Sequence, residues 1–489
     1  MLSLPFTFVE ENGVLLLADD TGCRLIHKER ASLSALMEAV RVSPFEPTIE
    51  LFSDTEFDAQ VVAFYQQESS DILSQGFGEE IDLNSAIDAI AENEDLLESE
   101  GDAPIIRLTN AILSEAIKEN ASDIHIETFE KNMRVRFRID GVLREVVQPK
   151  RALAPMLVSR LKVMAKLDIA EKRVPQDGRL ELRLSGQEID VRVSTIPSTY
   201  GERVVMRLLH KETTQLGFES LGMREEELET LKKLIYKPNG ILLVTGPTGS
   251  GKTTTLYSAL AQLNDGKRNI MTVEDPVEYH INGIGQTQVN EKAKMTFAAG
   301  LRAILRQDPD VVMVGEVRDK ETADISIQAS LTGHLVLSTL HTNSAAGAIT
   351  RLQDMGVEPF LISSSLVGVI AQRLARRLCP HCKSPVMADD ETKKLLEMPL
   401  DQEVIHYQPE GCNECFGQGY RGRLAFYEII EVDHELKNLI HKKAGESDIE
   451  KYTRSKHASL QQSGLAQVLA GETSIKEILR VEQTMQAEA

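Results

Sequence analysis

The stretch GPTGSGKTT, at residues 246–254, constrains the fold of this chain more than any other feature. It matches the pattern G-x-x-x-x-G-K-[ST], in which glycines let successive backbone N–H groups converge on phosphate oxygens. The apolar run GILLVTG leads directly into it, so we expect a short buried strand, the loop and then a helix whose amino end adds its dipole. This order predicts a site for a nucleoside triphosphate within an α/β domain.

The phosphate loop suggests a role for each of its residues. Lys252 is expected to contact the β- and γ-phosphates, and the Thr253 hydroxyl is expected to ligate Mg²⁺. The other predicted nucleotide-binding residues are Gly246, Pro247, Thr248, Gly249, Ser250, Gly251 and Thr254. The predicted ligands of this loop are therefore ATP and Mg²⁺.

Three more segments place chemically active side chains at the ends of predicted strands. TVEDPVEY has Glu274 at a strand end, and DVVMVGEVRD has Glu316 just after one. HLVLSTLHTN has His334 at the start of a strand and His341 just after it. Ligands gather at strand ends in open α/β sheets, where a carboxylate orients the attacking water or takes its proton. A glutamate that caps a helix or a structural histidine is the alternative for each residue alone, and either Glu316 or Glu274 could be the main base.

The pattern of strands and helices divides the chain into several parts. Strands alternate with helices after the second linker, which predicts a RecA-like P-loop domain with a mostly parallel sheet and helices on both faces. The preceding part predicts an α+β (PAS-like) domain with hairpin turns at Asp140-Gly141 and Ser185-Gly186. We predict a small N-terminal domain at 1–75, an acidic linker at 76–104, the α+β domain at 105–212, a linker at 213–222 and the ATPase domain at 223–489.

Charge and hydropathy limit the partners of the chain. The formal net charge is −21, which argues against a general nucleic-acid coat, because such a coat needs a basic surface. The segment from Gly78 to Pro104 holds ten acidic and no basic residues, which is typical of a self-repelling, flexible linker. No apolar run reaches the ~18–20 residues that span a bilayer, and the first residues do not resemble a signal peptide. We therefore expect a cytoplasmic protein that reaches any membrane through a partner, and no nucleic-acid partner.

Four of the five cysteines form two C-x-x-C pairs, CPHC at 379–382 and CNEC at 412–415. Together Cys379, Cys382, Cys412 and Cys415 supply four thiolates, a complete tetrahedral set for zinc with no open position. The pattern predicts a structural zinc knuckle inserted into the ATPase domain at 379–415, with unconnected or redox-active thiols as the alternative. His381 is a spare candidate ligand, and Cys23 is expected to be a small buried hydrophobic residue.

These motifs together resemble the secretion ATPase superfamily, and within it the general secretion pathway protein E family of type II secretion system ATPases. The stretches that carry the resemblance are SDIHIETFE, RVPQDGR, GPTGSGKTTTLY, TVEDPVEY, GLRAILRQDPDVVMVGEVRD, TGHLVLSTLHTN, CPHC and CNEC, with LPFTF and NEDLLESE nearer the amino terminus. The superfamily names TVEDPVEY its aspartate box, DVVMVGE an atypical second nucleotide motif and TGHLVLSTLHTN its histidine box. Retraction-type pilus motors usually lack the zinc element, which favours an assembly motor.

The resemblance implies a homohexamer that powers pseudopilus assembly and export through the outer membrane. It would be attached peripherally to the cytoplasmic face of the inner membrane, where its N-terminal domain would dock an inner-membrane secretion protein and its motor would act on an inner-membrane platform protein. The family pattern points to Arg192 and Arg207 as the arginines that reach the γ-phosphate, with Arg203 as a further candidate. Alternatives are a type IV pilus assembly ATPase, a DNA-pumping motor using Arg134, Arg136 and Arg138, and a non-enzymatic nucleotide switch.

Overall fold

A computed structural model describes most of the chain as two compact units, residues 1–212 and 213–489. The described residues are 12–18, 22–57, 103–184, 187–210 and 217–487, with a few isolated positions between residues 4 and 83. Nearly all of the predicted acidic linker, the first part of the second linker and the predicted turn at Ser185-Gly186 lie outside the described residues. The predicted domain boundaries therefore stay predictions.

A small sheet with one described helix forms the N-terminal module. Its elements are β1 (Val14–Ala18), β2 (Cys23–Lys28), α1 (Leu33–Val42) and β3 (Thr48–Phe52). Strand β2 is central, antiparallel to β1 and parallel to β3. Helix α1 begins where the Ser32 hydroxyl accepts a hydrogen bond from the Ala35 N–H, and it buries Ala35 and Ala39. Cys23 is also buried in this core, as the sequence predicted.

A six-stranded sheet and two helices form the rest of the first unit. The helices are α2 (Ala103–Lys118) and α3 (Ala154–Met164), and the strands are β4 (Asp123–Thr128), β5 (Met133–Ile139), β6 (Val142–Val147), β7 (Gln176–Leu184), β8 (Gln187–Ser198) and β9 (Gly201–His210). Their order is β6-β5-β4-β9-β8-β7, and every neighbouring pair is antiparallel. The predicted α+β fold with an antiparallel sheet is therefore confirmed.

Alternation along the strands sorts this sheet into an apolar and a charged face. Met133, Val135 and Phe137 are fully buried in the core that includes residues of both helices. The intervening arginines lie on the opposite face, and each has a carboxylate partner: Arg134 pairs with Glu145, Arg136 with Glu127 and Arg138 with Asp123. Because each arginine faces an acidic partner, the stripe is not an uncompensated basic surface of the kind that DNA phosphates attract.

A seven-stranded sheet organises the second unit. Its strands are β10 (Gly240–Thr245), β11 (Ile270–Glu274), β12 (Gly285–Gln288), β13 (Val311–Val314), β14 (Leu335–Leu340), β15 (Leu366–Leu378) and β18 (Tyr420–Glu431). The order is β12-β11-β13-β14-β10-β15-β18, and all pairs are parallel except β15 with β18. Strands β10, β13 and β14 are buried along their whole length, which is why they read as continuous apolar runs.

Helices pack on both faces of this sheet, as predicted. They are α4 (Glu225–Ile235), α5 (Lys252–Leu263), α6 (Phe297–Ile304), α7 (Lys320–Leu331), α8 (Ala345–Asp354), α9 (Pro359–Ser365), α11 (His434–His441), α12 (Glu446–Arg454), α13 (Leu460–Leu469) and α14 (Ile475–Ala487). Helices α4 and α5 share one core with the sheet, whereas α7, α8 and α9 share another. The insertion between β15 and β18 adds α10 (Asp390–Leu395) and a two-stranded sheet of β16 (Lys383–Met387) and β17 (Ile405–Pro409).

The predicted fold class is therefore confirmed: an α/β P-loop domain with an inserted cysteine knuckle follows an α+β domain and a small N-terminal module. Among the described residues, no helix combines the length and the apolar character that crossing a membrane requires.

Candidate functional site

The phosphate loop joins the carboxyl end of β10 to the amino end of α5. Gly249 and Gly251 adopt positive φ angles of 80° and 86°, so the loop takes a path that side-chain-bearing residues rarely follow. At Gly246 a Cβ would lie 2.6 Å from the carbonyl oxygen of Gln372, so only glycine fits there. Thr253 and Thr254 are exposed at the start of α5, where the Thr253 hydroxyl can reach a magnesium ion.

Lys252 is buried inside the loop that it serves. Its ammonium donates to the carbonyl oxygens of Gly246 at 2.7 Å and Pro247 at 2.9 Å. Burial lowers the pKa of Lys252 to about 8, and the nearby Glu316 carboxylate opposes part of that shift. An ammonium held in so poorly solvated a place would gain much from the negative charge of a bound triphosphate.

Glu316 lies just beyond the carboxyl end of β13. Arg318 donates to one of its oxygens, and His341 Nε2 lies 3.4 Å from the other. Burial lowers the pKa of His341, and the charge of Lys252 adds to that effect. The structure therefore brings Glu316, His341 and Lys252 together at the edge of the sheet that carries the phosphate loop.

Glu274 has a different environment from Glu316. It ends β11 with only 3% of its surface exposed. The hydroxyls of Tyr257 and Thr272 donate to its two oxygens, and Gln286 Nε2 donates at 3.2 Å. Because protein donors already occupy both oxygens, this carboxylate is built into the sheet rather than presented to a water molecule.

The two predicted histidines lie at opposite ends of β14. His341 follows the strand, whereas His334 precedes it and hydrogen-bonds through Nδ1 with the Ala329 carbonyl oxygen at 2.8 Å. Six residues of strand separate the two histidines, roughly 20 Å at the usual rise per residue. The geometry within one chain therefore does not support a catalytic role for His334, which stays a prediction.

Arg192 and Arg207 are neighbours on the charged face of the first unit's sheet. They are paired in register across β8 and β9, and Arg207 Nε donates to Asp123 Oδ1 at 3.1 Å. Arg179 pairs with Arg192 from β7, and all three arginines line one cavity of about 420 Å³ with Asp123 and Asp177. Arg203 lies further along β9, in an ion pair with Glu127.

Sequence reasoning did not single out Arg179 or Arg318. Arg318 stands two residues after Glu316, so the sequence spacing alone makes it a possible partner. Arg179 ends the motif RVPQDGR, but only the register of β7 with β8 places it beside Arg192.

The four knuckle cysteines converge as predicted. Their ligand atoms all lie within 4.8 Å of one another, with sulfur–sulfur distances of 3.8 Å between Cys379 and Cys412 and 3.7 Å from Cys415 to both Cys382 and Cys412. Four sulfurs at about 2.3 Å from a zinc ion occupy tetrahedron corners about 3.8 Å apart. These distances fit a tetrahedral zinc site and are far too long for disulfides.

Backbone N–H groups complete the surroundings of the knuckle. Gly411 donates to the Cys382 sulfur at 3.3 Å, and Gly419 and Cys412 donate to the Cys415 sulfur at 3.1 and 3.2 Å. Such donors stabilise thiolates and orient them toward a metal. The residues present therefore fit a closed structural site.

Comparison with known families assigns nearly the whole chain. Residues 98–480 match the family described as type II/IV secretion system protein, and residues 3–65 match the family of amino-terminal domains of GSPII protein E. Type II secretion system protein E of Pseudomonas aeruginosa is 56% identical and covers 98% of this chain and 96% of that protein. Type II secretion system ATPase E of Vibrio cholerae is also 56% identical, with the same two coverages.

Two solved structures share the fold. The pilus retraction motor PilT with bound ADP is 27% identical, covers 76% of this chain and 96% of that chain, and gives a TM-score of 0.52. The Legionella pneumophila ATPase DotB is 22% identical, covers 78% of this chain and 95% of that chain, and gives a TM-score of 0.56, which shows a shared fold alone.

Proposed function

Because this chain belongs to the family of type II/IV secretion system proteins, we propose that it is the ATPase that drives a type II secretion system. The supporting observation is a complete phosphate loop with Lys252 beside Glu316, in a chain 56% identical to type II secretion ATPase E along nearly its whole length. Its activity is ATP hydrolysis coupled to secretion.

In this proposal the phosphate loop holds the triphosphate, and Glu316 acts on the water. The loop N–H groups and Lys252 bind the β- and γ-phosphates, and Thr253 would hold Mg²⁺, which would neutralise phosphate charge. Glu316 orients the attacking water and accepts its proton. His341 and Arg318 bracket the two carboxylate oxygens and fix their direction.

Glu274 has a supporting role in the same scheme. Its contacts join β11 to α5 through Tyr257 and to β12 through Gln286. We assign it to holding these elements together, which favours Glu316 as the base.

We further propose that Arg192 and Arg207 complete the site of a neighbouring subunit in a homohexamer. The Arg207 side chain is 62% exposed, so its guanidinium is accessible, while Asp123 fixes its direction. A guanidinium that reaches the γ-phosphate neutralises the charge that develops in the transition state.

The proposal gives the zinc knuckle and the N-terminal module to partners. The knuckle would be a structural element directed at the inner-membrane platform protein. On the N-terminal module, α1 exposes an apolar stripe at i, i+4 and i+7: Leu33 is 74% exposed, Met37 66% and Val40 41%. We propose that this stripe docks the cytoplasmic domain of an inner-membrane secretion protein, and so places the motor on the cytoplasmic face of the inner membrane.

Deletion of the gene separates this function from the runner-up, a type IV pilus assembly ATPase. Loss of export with pili intact, restored by the wild-type chain but not by Lys252→Ala, is the expected result. Loss of pili with normal export would select the pilus motor and refute our assignment of ATP hydrolysis to pseudopilus assembly.

A further inference from the structure

A buried arginine that the mechanism above does not use lies beside the phosphate loop. Arg373 is on β15 and only 2% exposed. The register pairs Thr245 of β10 with Ala371 of β15, so Gln372 and Arg373 lie next to the root of the loop. Burying a guanidinium is costly unless its donors are satisfied, so its contacts should indicate its purpose.

The guanidinium of Arg373 joins two segments of backbone. Nη1 donates to the Gln372 carbonyl oxygen at 2.9 Å. Nη2 donates to the carbonyl oxygen of Asn343 at 2.9 Å and to its Oδ1 at 3.2 Å. A Cβ built on Gly246 would lie 3.0 Å from Nη1, so the arginine touches the phosphate loop as it reaches Asn343.

The loop that Arg373 holds is the one that begins with His341. It is also fixed from its other side, because the Thr342 N–H donates to Thr245 Oγ1 at 3.0 Å and the two hydroxyls lie 2.6 Å apart. The hydroxyl of Ser344 then caps α8 and ends the loop. Arg373 therefore completes a set of contacts that fixes the path of the chain from His341 to α8.

We propose that Arg373 is a positioning residue for ATP hydrolysis: it clamps Asn343 against the root of the phosphate loop and thereby keeps His341 beside Glu316. This inference rests on the ATPase function proposed above. The planar fork of arginine suits the role, because two nitrogens serve two acceptors in a fixed geometry that a lysine ammonium cannot copy. The charge of Arg373 also contributes to the lowered pKa of Lys252, which is consistent with this closeness.

Steady-state ATP hydrolysis by Arg373→Gln, Arg373→Lys and the full-length wild type tests the proposal. The matched control is Arg377→Gln, on the same strand, whose side chain is 51% exposed and pairs with Glu472 at 3.0 Å. For Arg373→Gln we expect kcat to fall by roughly 10²-fold with little change in KM, because misplaced catalytic groups cost rate rather than substrate affinity. Arg373→Lys should recover part of the rate, and Arg377→Gln should match the wild type.

A second set of variants separates positioning from general stability. In a His341→Ala background, Arg373→Gln should cause no further loss of kcat, because the group that it positions is gone. If Arg373→Gln does not fold, Asn343→Ala, which removes only the Oδ1 contact, should give a smaller loss that also disappears in the His341→Ala background.

Several outcomes would overturn the proposal. These are an unchanged kcat in Arg373→Gln or in His341→Ala, losses that multiply in the double variant, and a rise in KM without a fall in kcat. A wild type that hydrolyses no ATP would refute the proposed function itself, whereas normal hydrolysis by both wild type and Arg373→Gln would refute this inference alone.

Discussion

Replacing Glu316 by glutamine removes one negative charge from the site and keeps the size of the side chain. The two partners of Glu316 are largely exposed, with Arg318 at 62% and His341 at 51% of side-chain surface. Exposed pairs of this kind contribute about 0–1 kcal/mol to stability, so Glu316→Gln should fold normally. Its turnover should fall by roughly 10²–10⁴-fold, the usual contribution of a general base, while ATP binding is kept.

The matched control is the same substitution at Glu274. There a glutamine would bring an NH₂ group toward hydroxyl and amide donors that now bind a carboxylate, in a site with 3% exposure. Each buried group left without a partner costs about 1–3 kcal/mol, so the Tm of Glu274→Gln should fall clearly below that of Glu316→Gln. Any loss of turnover in Glu274→Gln should follow from the weakened fold.

Three measurements on each variant distinguish the roles: ATP turnover, equilibrium binding of a fluorescent ATP analogue, and thermal unfolding. Near-wild-type turnover by Glu316→Gln would refute its assignment as the base. A Glu274→Gln protein with wild-type Tm, normal ATP binding and severely reduced turnover would transfer that assignment to Glu274.

Four further predictions follow from the site and its surroundings. Protein purified without added metal should carry about one zinc per chain by elemental analysis, and Cys382→Ser should lose it; a metal-free, stable and active wild type would contradict the zinc site. Arg207→Ala should lose roughly 10³–10⁵-fold in turnover, and mixing it with Lys252→Ala subunits should restore some activity; no recovery in verified mixed rings would place the arginine in its own subunit's site. Because the pKa of Lys252 is lowered to about 8, its ammonium is present below that pH and lost above it, so the Kd for ATP should rise roughly tenfold from pH 7 to pH 9; a flat profile in binding titrations would contradict that pKa. Met37→Asp should hydrolyse ATP normally but fail to sediment with native membranes; unchanged sedimentation would move the docking surface elsewhere on the chain.

Local patterns predicted the fold well. The phosphate loop could be placed because its function needs fixed spacing over a few residues, and the buried strands because they read as unbroken apolar runs. The turn at Asp140-Gly141 followed from residues that tolerate positive φ, and the structure has 49° and 85° there. The four cysteines could be grouped from spacing alone, since zinc requires four ligands.

Contacts between distant residues could not be predicted in the same way. The environments of Glu274 and Glu316 differ because Tyr257 and Gln286, 17 and 12 residues from Glu274, supply its donors. Arg373 lies more than a hundred residues after the phosphate loop, and only the register of β10 with β15 brings them together. The position of His334 was within reach, because strand direction alone sends the two ends of β14 to opposite edges of the sheet.

Export measured in cells that carry only the Glu316→Gln chain tests most directly whether hydrolysis at this site drives secretion. The ratio of an exported reporter protein in the medium to that retained in the periplasm is the quantity to follow, with the variant expressed at the level of the wild type. We predict that the reporter stays in the periplasm although the variant is folded, binds ATP and sediments with the membrane. Export at the wild-type ratio by a variant shown to hydrolyse no ATP would contradict the account.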